Sequence, residues 1–169
     1  VKPATFARPL DRAKAGIVNI YQEFTLDPDM TSAENVFIGR EPGSRLFISR
    51  IALERQTRML AERIGLERSP NALVRDLSVA EQQMVEIARA LSMSSKLIVM
   101  DEPTSALSRT EVQKLFEIIR NLKRDGISTI FVTHCFEAFF EIGDRFMGLR
   151  VGRLLRAGSD ADINLESST

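Results

Sequence analysis

Three short apolar runs along the chain predict buried β-strands. They cover residues 17–21, 97–100 and 127–132, and the third run is rich in β-branched side chains. Between the second and third runs, apolar residues recur with helical spacing. A strand, a helix and another strand in this order imply a parallel pair joined by a right-handed crossover. The pattern therefore predicts an α/β sheet.

The helix between the second and third runs has marked ends. Ser108 is followed three residues later by Glu111, the pattern of a capping box, and Gly126 marks the other end. The apolar positions that predict its buried face are Val112, Leu115, Phe116, Ile119 and Leu122.

The stretch between the first and second runs predicts helices and no convincing strand. Helical patterns cover residues 32–38, 48–64 and 79–93. Near the end of the chain, glycines separate short apolar pieces within residues 145–158, which predicts a small terminal hairpin. The resulting four segments are a partial α/β core (1–26), a helical subdomain (27–95), the remaining α/β core (96–158) and a polar tail (159–169).

The composition is that of an ordinary globular protein. The chain has 169 residues, 44% of them hydrophobic, with 23 basic and 23 acidic side chains. Zero net charge and the lack of a basic run argue against a nucleic-acid binder. One cysteine excludes an internal disulfide and favours a reducing compartment. The longest aliphatic run, residues 97–100, is far below the roughly 18 residues of a membrane-spanning helix.

Polar side chains follow each predicted strand. Gln22 follows the first, Asp101 and Glu102 follow the second, and His134 follows the third after one intervening residue. In open parallel sheets, ligands bind at the carboxyl ends of the strands. Any one of these residues alone is more often a turn or helix cap, but three such positions together favour a site.

The Asp101-Glu102 pair fits the chemistry of nucleotide hydrolysis. A carboxylate at the rigid end of a buried strand can hold Mg²⁺, and its neighbour can orient or deprotonate an attacking water. Two adjacent acids are difficult to explain by stability alone, because each raises the cost of ionising the other.

Two further features leave alternatives open. Ser78 with Glu81 again matches a capping box, so residues 77–82 predict either simple helix initiation or capture of a phosphate at the helix start. His134 is the only histidine, and a lone histidine is usually structural. After a buried strand, its imidazole could instead donate a hydrogen bond to a phosphate oxygen.

The order of these elements resembles the ATP-binding cassette (ABC) ATPases, and within them the sugar-import ATP-binding subunits of the ribose, galactose and xylose type. The likeness covers residues 15–153, most of the chain. The matching stretches are 20–24 for the Q-loop, 31–42 for the segment after it, 77–88 for the signature motif, 97–102 for Walker B, 105–108 for the D-loop and His134 for the H-loop.

This resemblance implies a P-loop NTPase-like (RecA-like) parallel sheet with an inserted helical subdomain, and ATP and Mg²⁺ as cofactors. It implies that Gln22 contacts Mg²⁺ or the attacking water, Asp101 supports Mg²⁺ and Glu102 is the general base. His134 would sense the γ-phosphate. The residues implied to contact nucleotide are Ser78, Val79, Ala80, Glu81 and Gln82 of the signature motif and Ser105 and Ala106 of the D-loop.

The resemblance also implies partners. Nucleotide would be shared with a second cassette, fused or dimeric, and this chain looks like the first cassette of a fused pair. The helical subdomain would dock transmembrane permease subunits at the cytoplasmic face of the membrane, served indirectly by a sugar-binding protein. The transported sugar stays open, and no nucleic-acid partner is expected.

The sequence departs from the family in one major respect. It contains no G-x-x-x-x-G-K-[ST], the loop that cradles the phosphates, and it begins with Val1. We expect the chain to be an interior piece or processed product that starts after this loop, with exposed apolar strand faces and little ATP binding of its own. The residues after His134 are also unusual for the family. Two alternatives remain: a degenerate, non-hydrolysing cassette that serves as an interaction module, and a non-transport ABC ATPase.

Overall fold

The computed structural model describes residues 6, 8–44, 47–134, 136–150 and 153–159. The chain forms two compact units, Val1–Val132 and Thr133–Thr169. The four predicted segments follow different boundaries and stay a prediction.

The first unit contains a three-stranded parallel sheet, as the apolar runs predict. Its strands are β1 (Ile17–Ile20), β2 (Leu97–Asp101) and β3 (Ser128–Val132), in the order β1-β2-β3. Ile20 is opposite Met100, and Asp101 is opposite Val132. The register therefore brings the carboxyl ends of the three strands to one edge of the sheet.

Gly16 aligns β1 with β2. It has a φ of 79°, and its carbonyl oxygen accepts hydrogen bonds from the backbone nitrogens of Lys96 and Leu97 at 2.8 and 3.0 Å. An added Cβ would lie 3.2 Å from the Lys96 nitrogen. Glycine is favoured here because it combines the left-handed backbone with this close approach.

The central strand β2 has two fully buried side chains, whereas the edge strand β3 is partly exposed. Ile98 and Met100 of β2 have no exposed surface, whereas Ile130 and Val132 of β3 are 49% and 46% exposed. The exposure of Ile130 and Val132 agrees with the expectation that apolar faces of the strands are exposed to solvent.

Within the first unit, helices pack against the sheet and against one another. They are α1 (Pro9–Lys14), α2 (Ser32–Phe37), α3 (Arg50–Ile64), α4 (Val79–Ser92) and α5 (Arg109–Arg124), with a short 3₁₀ turn at Val74–Asp76. Helices α2 to α5 agree with the predicted helices to within two residues, whereas α1 was not predicted. Helices α2, α3 and α4 pack on one another, and α5 packs on β3.

Helix α5 shows how closely the pattern matches burial. Leu115, Phe116, Ile119 and Leu122 are buried as predicted. Val112 is only half-buried, and Ile118 is buried in addition. The Phe116 ring meets Phe131 of β3 edge-on, with 6.2 Å between ring centroids, which anchors α5 to the sheet.

Capping boxes start three of the helices. Thr31 with Glu34 opens α2, Ser78 with Glu81 opens α4, and Ser108 with Glu111 opens α5. The last two confirm the sequence prediction, and the Thr31 box was missed.

The second unit contains α6 (Phe136–Ile142) and an antiparallel pair, β4 (Arg145–Arg150) and β5 (Arg153–Ser159). The pair confirms the predicted hairpin, and its register shifts between Gly148 and Leu149. The polar tail beyond Ser159 lies outside the described residues. Among the helices of the described segments, none has the length and apolar composition required to span a bilayer.

Candidate functional site

The carboxyl edge of the sheet brings two predicted metal-site residues to the same side of the first unit. Asp101 is the last residue of β2 and is exposed. Gln22 lies two residues beyond the end of β1 and is also exposed. Because β1 and β2 are parallel neighbours, both side chains follow strands that end at this edge.

Glu102 adopts an unusual backbone conformation. Its φ is 47°, in the left-handed region that non-glycine residues rarely occupy. Its backbone nitrogen donates to the Val132 carbonyl at 2.9 Å, and its carbonyl accepts from Ser105 at 3.2 Å. Such strain persists only where the surroundings enforce it, and it concentrates at functional sites. No glycine or asparagine in the sequence signals this turn.

The donor chemistry of this edge fits Mg²⁺. A carboxylate at Asp101 and an amide oxygen at Gln22 are hard oxygen ligands, and Mg²⁺ is commonly held by one or two carboxylates together with substrate phosphates. Within the described segments, no group of three or more His, Cys, Asp or Glu side chains is arranged to hold a metal.

The predicted nucleotide contacts of the D-loop lie in the turn between β2 and α5. Ser105 and Ala106 are both exposed, and the buried Pro103 precedes them. The turn leads directly to Ser108, which caps α5.

Two of the residues predicted to contact nucleotide, Ser78 and Glu81, form the N-terminal cap of α4. Ser78 Oγ accepts from the Glu81 nitrogen at 3.3 Å, and the Ser78 nitrogen donates to Glu81 Oε2 at 2.8 Å. Arg68 Nε donates to the other carboxylate oxygen of Glu81 at 2.6 Å. Burial acts to raise the pKa of Glu81, but the hydrogen bonds from Arg68 and Ser78 outweigh it and lower the pKa. The capping interpretation is therefore correct, and phosphate capture at this helix start stays a prediction.

The other residues at this helix start differ in exposure. Gln82 turns back to the preceding loop, where its Nε2 donates to the Leu77 carbonyl at 3.1 Å. Val79 is 41% exposed, and Ala80 is half-buried. Together with Ser78 and Glu81, Ala80 lines a cleft of about 550 Å³ that the end of α3 and the side of α5 also border.

His134 lies in the second unit, two residues beyond the end of β3. Its side chain is exposed. Its proposed role as a γ-phosphate sensor stays a prediction. Cys135, the residue after it, lies outside the described part of the chain.

Sequence reasoning missed Glu86, a buried carboxylate of α4. The residue is only 3% exposed and pairs with Arg89. The available signal was an acidic residue between Val85 and Ile87, inside the apolar pattern of the helix. Buried carboxylates are rare unless they are paired, and Arg89 supplies the partner here.

The sequence profile of the ABC transporter family matches residues 2–105, more than half of the chain. The chain belongs to the ABC transporter family.

Curated relatives of this ABC family member include importer subunits. It is 45% identical over 161 residues to the ribose import ATP-binding protein RbsA 1 of Rubrobacter xylanophilus, which covers 95% of this chain and 32% of that protein. It is 47% identical over 156 residues to a putative ribose/galactose/methyl galactoside import ATP-binding protein of Rhizobium johnstonii, covering 92% of this chain and 30% of the relative. The chain thus spans about a third of these relatives.

Solved ABC structures show the same fold, that of the P-loop NTPases. An ATP-binding cassette of an ABC transporter in its ADP conformation aligns with a TM-score of 0.79 at 25% identity, over 95% of this chain and 67% of that one. A dimeric, post-hydrolysis cassette bound to ADP and Pi aligns with a TM-score of 0.71 at 30% identity, over 85% of this chain and 62% of that one. The predicted fold class is confirmed.

Proposed function

We propose that this chain is part of the ATP-binding subunit of a sugar importer and carries its hydrolytic carboxylates. The observation that supports this most strongly is the parallel register, which ends β1 and β2 at one edge with Gln22, Asp101 and Glu102 following. The identity to ribose and galactose import proteins supports sugar as the cargo. ATP with Mg²⁺ supplies a transferable phosphoryl group and a cation that neutralises charge on it.

In this proposal Asp101, Gln22 and Glu102 have distinct tasks at the edge. Asp101 holds the metal through its carboxylate, and Gln22 places an amide oxygen beside it. Glu102 orients the attacking water and accepts its proton, which requires a carboxylate held at a fixed position. The resemblance to the ABC ATPases gives His134, in the second unit, the separate role of sensing the γ-phosphate through a hydrogen bond.

Nucleotide contacts across a dimer complete the proposed site. The start of α4, at Ser78 to Gln82, carries the positive end of a helix dipole and favours a phosphate held by an opposing cassette. Ser105 and Ala106 lie exposed in the turn after β2, where an opposing surface can reach them. The partner is a second cassette, fused or separate.

The helical block supports docking to membrane subunits. Phe47, Ile48 and Ile51 precede or begin α3 and are 77%, 60% and 84% exposed. Large exposed apolar side chains that lie close together indicate an interaction surface. We propose that permease subunits cover it at the cytoplasmic face of the membrane, and that a sugar-binding protein acts through them.

Replacement of the proposed base tests this function. In the full-length native protein with its permease, Glu102→Gln should lower ATP turnover by about 100-fold or more, because the general base is lost. Binding of MgATP should persist, because the substituted amide keeps the size of the side chain. Turnover is measured by phosphate release and binding by calorimetry.

Glu117→Gln on the exposed side of α5 is the matched control and should leave turnover unchanged. Unchanged turnover in Glu102→Gln would remove Glu102 from the role of base.

A non-hydrolysing interaction module is the second candidate. The observation that favours it is the exposed apolar side chains of Phe47, Ile48 and Ile51, because docking through such a surface requires no hydrolysis. It predicts permease binding by the native protein with no ATP turnover at all, so the same assay separates the two functions.

A further inference from the structure

A buried carboxylate ties the segment after Gln22 to α4. Glu86 Oε1 accepts hydrogen bonds from the backbone nitrogen of Thr25 at 2.9 Å and from Thr25 Oγ1 at 3.0 Å. Arg89 donates to the other carboxylate oxygen of Glu86 and to Thr25 Oγ1. It also donates to the Thr25 carbonyl at 3.4 Å. We refer to Thr25, Glu86 and Arg89 as the polar clamp.

The two charged members of the polar clamp are shielded from solvent, whereas Thr25 is exposed. The side chain of Glu86 is 4% exposed and that of Arg89 is 19% exposed. Removing one member of a buried, hydrogen-bonded pair leaves a charge without compensation, which is far more costly than losing a surface contact. Replacing a buried ion pair by apolar residues is often neutral or stabilising. Stability alone therefore does not account for this arrangement.

The polar clamp connects two parts of the proposed nucleotide site. Thr25 lies three residues after Gln22. Glu86 lies eight residues after Ser78, which caps the same helix, so about 12 Å of continuous helix joins them. A helix of this length moves as one body, which carries any displacement of its start to the polar clamp.

The segment after Gln22 also forms hydrogen bonds with α2, through Asp27. The Asp27 nitrogen donates to Asn35 Oδ1 at 2.7 Å, and Asn35 Nδ2 donates to the Asp27 carbonyl at 3.0 Å. Asn35 is buried in α2. The segment after Gln22 is thus bound to α4 at Thr25 and to α2 at Asp27, which leaves it little freedom to move independently of the helical block.

We propose that Glu86 is a positioning residue, which acts through Thr25 to fix the segment carrying Gln22 relative to the start of α4. The inference rests on the proposed function, in which Gln22 and the start of α4 contact nucleotide. When the start of α4 engages an opposing nucleotide, the polar clamp moves the Gln22 segment with it.

Amide hydrogen exchange of the full-length native protein tests the contact itself. Glu86→Ala should speed exchange of the Thr25 amide by about tenfold or more, because its acceptor is lost. Amides of β2 should change less than twofold. Glu86→Gln should give a smaller rise at Thr25, since its amide oxygen can still accept. Unchanged Thr25 exchange in Glu86→Ala overturns the proposal. If that variant unfolds, unchanged Thr25 exchange in Glu86→Leu, which is similar in size and cannot accept a hydrogen bond, overturns it instead.

Turnover tests the positioning role. Glu86→Leu removes the acceptor at similar size and should lower kcat for MgATP by about tenfold, because it misplaces Gln22. KM should stay within about twofold, because the polar clamp is not among the proposed nucleotide contacts. Thr25→Val removes the hydroxyl at nearly constant shape and should also lower kcat. Thr25→Ser keeps the hydroxyl, so its kcat should stay close to the native value.

The two measurements separate the two proposals. Native protein without any ATP turnover contradicts the proposed function. The positioning role depends on that function and is then overturned with it, even where the exchange data establish the contact. Faster Thr25 exchange with unchanged kcat overturns the positioning role alone, because the polar clamp is then only a contact that stabilises the fold.

Discussion

At the residue scale, Glu102 shows how a single position departs from local preference. A glutamate with φ of 47° is held there by the bond from its nitrogen to Val132 of the neighbouring strand. The turn that follows delivers the exposed Ser105 and Ala106. The sheet pairing, and not the amino acid's own preference, determines this conformation.

Ser78 and Ser108 provide a matched pair for a prediction about capping and function. Both accept a hydrogen bond from the third helical residue, so Ser78→Ala and Ser108→Ala should each lower the free energy of unfolding by about 1 kcal/mol. Only Ser78→Ala should also reduce ATP turnover in the native protein. Denaturant unfolding measures the first effect and phosphate release the second. Equal turnover in both variants would leave Ser78 as a cap alone.

Glu34 gives a prediction about pH. Hydrogen bonds from the backbone and side chain of Thr31 lower the pKa of Glu34 below its ordinary value of 4.5. A carboxyl with a depressed folded-state pKa contributes stability that is present above 4.5 and is lost as the pH falls through the folded-state pKa. Glu34→Gln should therefore reduce the loss of stability in this acidic range. Urea unfolding at a series of pH values measures this loss of stability. If the pH dependence is the same in Glu34→Gln as in the native protein, Glu34 is not its source.

At the scale of elements, the amphipathic pattern predicts α5 well because its buried face meets β3 directly. Two positions differ from the prediction: Val112 is only half-buried, and Ile118 is buried beside the cleft that α5 shares with α3 and α4. Helix α1 was missed because it is short, with Pro9 at its start and no long apolar pattern. The helix and strand limits otherwise follow from local caps and turns.

Burial in α5 supports a prediction of stability. Leu122 is 1% exposed, so Leu122→Ala should lower the free energy of unfolding by about 2–5 kcal/mol, the range for buried leucines. Ile51→Ala in α3 is the control, since Ile51 is 84% exposed and its loss should change stability by no more than about 0.5 kcal/mol. Thermal or urea unfolding compares the two. Similar losses would show that α5 is not packed as described.

At the scale of the whole molecule, the carboxylates and the phosphate cradle are separate parts of the chemistry. The 169 residues carry Asp101 and Glu102 at a sheet edge but no glycine-rich loop of the G-x-x-x-x-G-K-[ST] form. Positioning supplies a large share of phosphoryl-transfer catalysis, so carboxylates without a phosphate anchor have little substrate to act on.

The isolated chain should therefore bind MgATP with a Kd above about 1 mM. This corresponds to a binding free energy of less than about 4 kcal/mol in magnitude. Calorimetry on the 169-residue chain measures this. Submillimolar affinity would show that the sheet edge and the start of α4 together suffice to hold nucleotide.

The sequence by itself determined the strands, the main helices, the helix caps at Ser78 and Ser108 and the family, because each depends on local spacing or on short motifs. Only the tertiary structure decided the backbone of Glu102 and the partners of Glu86. These depend on residues far apart in the chain: Val132 lies 30 positions from Glu102, and Thr25 lies 61 positions from Glu86. Local sequence patterns do not predict such contacts, since the contacts form only when separate helices and strands pack together.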